Sequence, residues 1–259
     1  MSRLKRYYYI LRNLGIDPYT TLLSIYNLPY YIKSYINFRR NYRGRIVLYP
    51  CLLDRHLEAG DIGNEYFWQD LFVSRWVYEA NPTNHLDVGS RIDGFVAHIA
   101  TFRKVDVVDI RPLQAKIPNV RFIQCDLTDI REIKEKIGIE VYESISCLHT
   151  IEHVGLGRYG DKVDIFLYKV FLSNLSQILK NHGTLYISFP VGRERVEFNA
   201  HRIFHPLKMK HELEELKLKI QEFYVLERTI MKMIKDDEEI LELATKDYRL
   251  AILNCKKIA

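Results

Sequence analysis

The sequence of 259 residues has no apolar run that approaches the roughly 20 residues of a membrane span. Its first residues also lack the uninterrupted apolar core of a signal peptide. The four cysteines, Cys51, Cys125, Cys147 and Cys255, lie far apart without a CxxC pair. These absences argue against secretion and predict a cytoplasmic protein. With 47% hydrophobic residues, the chain can bury one α/β domain with an appendage.

Acidic residues are almost missing from residues 1–45, which hold Asp17 alone against nine Lys and Arg, so this segment carries a charge of +8. It also holds nine of the eighteen tyrosines. Basic residues interleaved with aromatic ones suit a phosphate-rich surface. We therefore predict an N-terminal arm, 1–45, that contacts the inner membrane surface, with nucleic acid as the less favoured partner. The alternative is an arm that packs on the main domain, 46–259, with solvated charges.

Local patterns predict short helices within 4–14 and 19–43, broken at Pro18 and Pro29. A short strand is expected at 46–50, and a helix at 66–80 could cover a nucleotide pocket. From His85 the pattern alternates between strands, at 85–89, 104–109, 120–125, 142–149 and 184–189, and helices, at 94–102, 128–137, 162–180 and 206–219. The β-rich runs 220–230 and 248–255 are expected to pair antiparallel. The prediction is a Rossmann-like α/β fold with a seven-stranded, mostly parallel sheet and an antiparallel edge hairpin.

The stretch from His85 to Phe95 reads as a strand, an acidic residue, a glycine turn and a helix start. Glycine at such a turn lets the backbone approach a ligand, and the helix start offers unpaired N–H groups. Asp109 closes the second strand and suits the hydroxyls of a ribose. Asp126 closes the third strand. Together these residues predict one adenosine site.

The chain resembles class I S-adenosylmethionine-dependent methyltransferases over about residues 60–255. Within them it is similar to an uncharacterised bacterial and nematode family often met beside polysaccharide-assembly genes. The residues that carry this closer resemblance are 63–70 with a Tyr-Phe-x-Gln-Asp core, 87–95, 108–112, 148–161 and 198–204. The resemblance implies S-adenosylmethionine as the cofactor and a glycan-related methyl transfer.

The resemblance also assigns cofactor contacts. It places Asp87 and Gly89 at the turn that faces the methionine moiety, Asp109 at the ribose and Asp126 at the adenine amino group. The second and third glycines of the family's Asp-x-Gly-x-Gly-x-Gly turn are Arg91 and Asp93 here, with Gly94 one place late. We expect Arg91 to pair either with the carboxylate of the cofactor or with Asp93.

A cluster of titratable residues, His149, Glu152 and His153, follows the fourth strand. On a helical turn they would share a face. Methyl transfer to a hydroxyl needs a base, and neutral histidine suits that role. We predict His153 as the base, with Glu152 and His149 beside it. Two alternatives stay open: a structural hydrogen-bonded pair, or a divalent metal held by His149, Glu152, His153 and His201.

The glycine-rich segment 155–161 follows this cluster and could form a lid. We predict that Arg158, Tyr159, Arg193, His201 and Arg202, with Arg195, contact an anionic acceptor. The sequence thus predicts a methyltransferase that O-methylates a sugar or glycan precursor. The alternative is a non-catalytic, methyltransferase-like protein that binds a nucleotide or glycan in a membrane-associated polysaccharide assembly.

Overall fold

The computed structural model describes residues 3–57, 59–60 and 62–259. The chain forms two compact units, Met1–Asp61 and Ile62–Ala259, and each is described by itself. The predicted boundary after residue 45 falls within the first unit and stays a prediction. Among the described residues, no helix combines the length and the apolarity that crossing a bilayer requires.

The first unit is helical, with α1 at Arg3–Asn13, α2 at Pro18–Asn41 and a 3₁₀ turn at Asp54–His56. Asp17 caps α2 by accepting a hydrogen bond from the Thr20 amide at 3.1 Å. The prediction of a break at Pro29 is wrong, because α2 runs through it. A proline removes one backbone hydrogen bond, and the long helical stretches on both sides keep the rest. The strand predicted at 46–50 is also wrong, since these residues have no regular structure.

The second unit alternates strands and helices as predicted. Its strands are β1 His85–Val88, β2 Val105–Asp109, β3 Val120–Gln124, β4 Tyr142–Leu148, β5 Leu179–Val191, β6 Arg195–Glu197, β7 His201–Ile203, β8 Leu218–Glu227, β9 Ile230–Ile234 and β10 Arg249–Lys257. Its helices are α3 Glu65–Ala80, α4 Ala97–Ala100, α5 Ile130–Lys136, α6 Leu167–Ile178, α7 Pro206–Glu215 and α8 Asp237–Leu243. A kinked turn, Ile92–Val96, precedes α4.

The main sheet has the order β3-β2-β1-β4-β5-β10-β8-β9, and β6 pairs with β7 in a small separate sheet. Strands β1 to β5 are parallel, whereas β10 lies antiparallel to both β5 and β8. This confirms the predicted Rossmann-like fold. The sheet has eight strands, one more than predicted, because the stretch around Lys232 forms β9 against β8.

Both faces of the sheet are covered by apolar side chains. On one face α6 packs Phe171, Leu172 and Leu175 into the larger core, and on the other α3 contributes Val73 and Val77. Five successive residues of β4, from Ser144 to Leu148, are buried, as expected of a central parallel strand. This frame fixes the carboxyl ends of β1 to β4 at one edge, where open α/β sheets bind ligands.

Candidate functional site

A continuous cleft opens at the carboxyl ends of β1 to β4. Its apolar half is lined by residues at the ends of the four strands or just after them, among them Val88, Val108, Asp109, Cys125, Asp126, Thr128 and Thr150. Its polar half is lined by Tyr66, Gln69, Asp70, Ser90, Arg91 and Arg158. Five residues line both halves: Gly89, Arg111, His149, His153 and Tyr159. The predicted adenosine site and the predicted catalytic cluster therefore share one cleft.

The turn after β1 is built around Gly89, whose φ is +70°. A Cβ at this position would lie 2.6 Å from Thr150 Cγ2, so only glycine fits here without displacing Thr150. Asp87 is buried beneath the turn and accepts hydrogen bonds from the Ser90 and Ser146 hydroxyls at 2.8 and 2.6 Å. Burial raises the pKa of Asp87 to about 7. Asp87 thus supports the turn from below and does not line the cleft.

Arg91 and Asp93, which replace two glycines of the resembled family's turn, pair with each other. The Arg91 Nε lies 3.0 Å from Asp93 Oδ1, and the two side chains are 69% and 70% exposed. Of the two predicted partners for Arg91, the structure shows Asp93. Gly94 lies deeper, where a Cβ would meet Asp70 Oδ2 at 2.6 Å. The ion pair thus sits at the rim, and Gly94 packs against α3.

Asp109 ends β2 and Asp126 lies two residues beyond the end of β3, and both line the apolar half. Arg111 holds Asp109 by a fork, with Nε donating to Oδ1 at 3.0 Å and Nη2 donating to Oδ2 at 2.6 Å. The Arg111 amide also donates to Oδ1 at 2.8 Å. Because a carboxylate oxygen accepts about two hydrogen bonds, Oδ2 keeps one acceptor position. Asp126 Oδ1 accepts from the Thr128 amide and hydroxyl, both at 2.8 Å, and Oδ2 is not used in these bonds.

His149 and Glu152 form a buried pair, with Nδ1 2.7 Å from Glu152 Oε1. Burial alone would lower the pKa of His149, but Glu152, Glu65 and Asp70 outweigh it, and the pKa is raised. Burial by itself would raise the pKa of Glu152, but the hydrogen bond to His149, together with the nearby His153, holds that pKa below its usual value. Both directions favour a protonated His149 paired with an ionised Glu152. Glu65 lies on the other side of the ring, 3.4 Å from Nε2.

His153 has the opposite electrostatics, because burial, which outweighs the attraction of Glu152, lowers its pKa and keeps the ring neutral. Its Nδ1 lies 2.7 Å from the Ala200 carbonyl and 3.3 Å from Arg158 Nη1. The carbonyl only accepts hydrogen bonds and is the nearer of the two, so we assign the proton to Nδ1. Nε2 then has a free lone pair and lies 3.8 Å from Glu152 Oε1. His153 is thus a neutral imidazole whose tautomer is fixed by the backbone.

The predicted lid is an ordered loop over the cleft. Asp161 holds it by accepting hydrogen bonds from the amides of Gly155 at 2.6 Å and Tyr159 at 3.2 Å. Two guanidinium groups lie near the Tyr159 ring, with Arg111 4.6 Å and Arg158 5.1 Å from its centroid. The loop therefore places one aromatic ring and two cations at the mouth of the cleft.

The other predicted acceptor residues lie outside the residues that line the cleft. Arg193 donates to the Thr245 carbonyl and Arg195 to Glu197, each at 3.0 Å. Arg202 is buried and donates to the Val154 carbonyl. His201 Nε2 lies 3.7 Å from Glu197 Oε2. Of the predicted acceptor contacts, the structure brings Arg158 and Tyr159 to the cleft.

The predicted metal ligands are not assembled as a centre. His201 pairs with Glu197, and the proton on Nδ1 of His153 points at a carbonyl. Across the described residues, no group of three or more His, Cys, Asp or Glu side chains is arranged to hold a metal ion. The metal alternative therefore lacks its ligand set.

The sequence predicted that the helix at 66–80 could cover the pocket, but it did not identify the α3 side chains that line the site. Gln69 Nε2 donates to Asp70 Oδ1 at 3.0 Å, and Gln69 accepts from the Ser188 hydroxyl, which fixes both side chains in the polar half. Tyr66 packs on His149 with ring centroids 4.6 Å apart. The signal was the Tyr-Phe-x-Gln-Asp core, which carries these three residues.

The family model described as "Caenorhabditis protein of unknown function, DUF268" matches residues 107–222. No curated protein sequence matches the chain.

Solved structures share the architecture. One is the 1,6-didemethyltoxoflavin-N1-methyltransferase of Burkholderia thailandensis with bound 1,6-didemethyltoxoflavin and S-adenosylhomocysteine, at 14% identity over 77% of this chain and 82% of that chain, TM-score 0.53. Another is the N-methyltransferase NodS of Bradyrhizobium japonicum WM9, at 13% identity over 78% of this chain and 100% of that chain, with a TM-score of 0.51. A third is the [4+2]-cyclase SpnF, at 13% identity over 73% of this chain and 81% of that chain, with a TM-score of 0.51. These likenesses show the class I methyltransferase fold.

Proposed function

We propose that the second unit is an S-adenosylmethionine-dependent methyltransferase that acts on a hydroxyl of an anionic sugar or glycan precursor. The observation that carries this proposal is the placement of His153. A neutral imidazole with a fixed tautomer lines the same cleft as Asp109 and Asp126. A base beside an adenosine-type pocket is the arrangement that methylation of a hydroxyl requires.

The residues of the apolar half fit the cofactor. Gly89 leaves backbone close to the cleft, and Asp109 and Asp126 each keep an acceptor position, for ribose hydroxyls and for an adenine amino group. In the polar half Asp70 offers a buried carboxylate beside Ser90. A bound S-adenosylmethionine would supply an activated methyl group. The exposed Arg91–Asp93 pair lies at the rim, where it leaves the surface of Gly89 open.

The proton of the acceptor hydroxyl would pass to Nε2 of His153. Loss of that proton strengthens the oxygen as a nucleophile, and the imidazolium that forms lies 3.8 Å from Glu152 Oε1. Glu152 therefore stabilises the product of the proton transfer. The hydrogen bond to the Ala200 carbonyl holds the ring in place throughout.

The mouth of the cleft supports the proposed acceptor class. Arg111 and Arg158 lie near the Tyr159 ring there, and an aromatic face with two cations suits a sugar that carries phosphate or carboxylate. The link to glycans comes from the sequence resemblance. The cytoplasmic location and the polysaccharide context are parts of this proposal.

Binding of S-adenosylhomocysteine tests the cofactor half of the proposal. Asp109→Ala should weaken binding by roughly 1.5–3 kcal/mol, the scale of hydrogen bonds to a charged acceptor. Asp106→Ala is the matched control, since Asp106 lies on the same strand and is held by Arg121 in a similar fork, outside the cleft. Titration calorimetry measures both. Equal losses in the two variants, or no loss in either, would remove Asp109 from the cofactor site.

The bidentate contact of Arg111 with Asp109 also favours a second candidate function, that of a non-catalytic protein that binds a nucleotide or glycan. If Arg111 keeps the carboxylate engaged, the ribose of S-adenosylmethionine loses its main partner, and the cleft is left to another ligand. The likeness to a [4+2]-cyclase shows that this fold is not tied to methyl transfer. Absence of any heat with S-adenosylhomocysteine in the intact protein would favour this candidate.

A further inference from the structure

Helix α2 of the first unit presents one continuous apolar face. Leu22, Ile25, Pro29, Ile32 and Ile36 follow each other at spacings of three and four residues, which places them on one side of the helix. Leu22 and Ile25 are 68% and 64% exposed, and Ile32 and Ile36 are 46% exposed each. Asn27 lies on the opposite side, where it is buried and contacts His56 Nε2 at 2.8 Å. The helix therefore packs by the side that carries Asn27 and leaves the side that carries these five apolar residues exposed. We call the five residues the α2 face.

Cations flank the α2 face. Lys33 and Arg40 line a shallow groove together with Pro29, Ile32 and Ile36. In the described part of the first unit, no carboxylate forms an ion pair with either of them. Residues 1–45 carry +8 in total, with Asp17 as the one acid. An apolar strip with unneutralised cations beside it is complementary to a surface that is apolar inside and anionic outside.

Tyrosines occupy the side of the helix next to the cations. Tyr19, Tyr26 and Tyr30 are exposed. The Arg55 guanidinium lies 4.0 Å from the centroid of the Tyr30 ring and adds a further positive charge there. Tyrosine has an apolar ring and a polar hydroxyl, which suits the headgroup level of a bilayer.

We propose that the α2 face docks on an anionic membrane surface. The helix lies in the plane of the bilayer, with the α2 face at the boundary between headgroups and acyl chains and with Lys33 and Arg40 on the lipid phosphates. The continuous path of α2 through Pro29 is essential, because it joins the apolar residues on both sides of the proline into one strip.

Charge argues against one other occupant of the α2 face, and its exposed apolar residues argue against another. The three-four spacing would also suit a second copy of the helix, but two segments of +8 would repel each other. Nucleic acid would satisfy the charge and would leave the exposed isoleucines in water.

The test uses the full chain and vesicles of phosphatidylcholine, with and without phosphatidylglycerol, in a co-sedimentation assay. We expect binding to the anionic vesicles alone, and its loss at about 0.5 M salt, where charges are screened within a few ångströms.

Lys33→Glu with Arg40→Glu should weaken binding at least about tenfold. Ile32→Glu with Ile36→Glu should do the same, because a charged side chain resists burial in the bilayer. Lys116→Glu with Lys134→Glu, both exposed in the second unit, is the control of equal charge change and should bind as the unchanged chain does.

Several outcomes would overturn the proposal. One is equal binding of neutral and anionic vesicles, and another is unchanged binding in both α2 variants. A dimer in light scattering that Ile32→Glu dissociates would assign the α2 face to a second copy. Tighter binding to a duplex oligonucleotide than to vesicles would assign it to nucleic acid. Circular dichroism confirms that the variants keep their helices, and calorimetry with S-adenosylhomocysteine separates this result from the proposed function of the second unit.

Discussion

His153→Ala is expected to lower turnover by about two to four orders of magnitude, the usual contribution of a general base. S-adenosylhomocysteine affinity should stay unchanged, because Asp109 and Asp126, on other strands, supply the adenosine contacts in the proposed site. Release of S-adenosylhomocysteine in the presence of sugar phosphate acceptors measures turnover. His201→Ala is the matched control, since His201 follows β5 but pairs with Glu197 outside the cleft. It should retain turnover close to that of the unchanged chain.

The pH dependence gives a second readout of the same residue. Burial, followed by the charge of Arg158, lowers the pKa of His153 below its usual 6.5, so the base stays neutral at neutral pH. Turnover should therefore be level around pH 7 and fall on acidification only below about 6.5. A chelator should have no effect. Turnover that survives loss of His153 would leave catalysis to positioning of the acceptor alone.

The sheet and its acidic strand ends were predictable because both are local in sequence. Alternating apolar strands and helices fix a parallel sheet, and residues that close parallel strands meet at one edge. Asp109, Asp126, His149 and His153 therefore had to converge once the strands were recognised. The opposite pKa shifts of His149 and His153 could not be predicted, because they depend on burial and on the charges around each ring.

The part of the site that escaped prediction depends on contacts between distant segments. Gln69 lies 119 residues before Ser188, whose hydroxyl orients it. Arg193 and Arg202 lie after a strand that ends at the same edge of the sheet as the strand before Arg158, but they donate hydrogen bonds to backbone carbonyls of neighbouring loops. Spacing indicates which residues reach the edge of a sheet, and only packing decides which of them face the cleft.

His149→Ala should destabilise the second unit by about 3–5 kcal/mol near pH 5.5, the cost of breaking a buried ion pair. The variant leaves Glu152 as a buried carboxylate without its cation, and Glu152 Oε2 already has no hydrogen-bond partner among the described residues. Both tryptophans, Trp68 and Trp76, lie in α3, so their fluorescence reports unfolding of the second unit. Urea unfolding of the two proteins measures the difference.

The pH dependence of that difference identifies the pair. The pKa of His149 is raised above 6.5, so its contribution is complete below 6.5 and is lost as pH rises through the folded value. The pKa of Glu152 is lowered below 4.5, so its contribution is complete above 4.5 and is lost as pH falls through the folded value. The stability gap should therefore be widest between these two values. Glu152→Gln in the His149→Ala background should recover part of the loss, because an amide costs less to bury than a charge. A gap that is the same from pH 4 to about 9, or no recovery in the double variant, would contradict an imidazolium–carboxylate pair and would favour simple loss of packing against Tyr66.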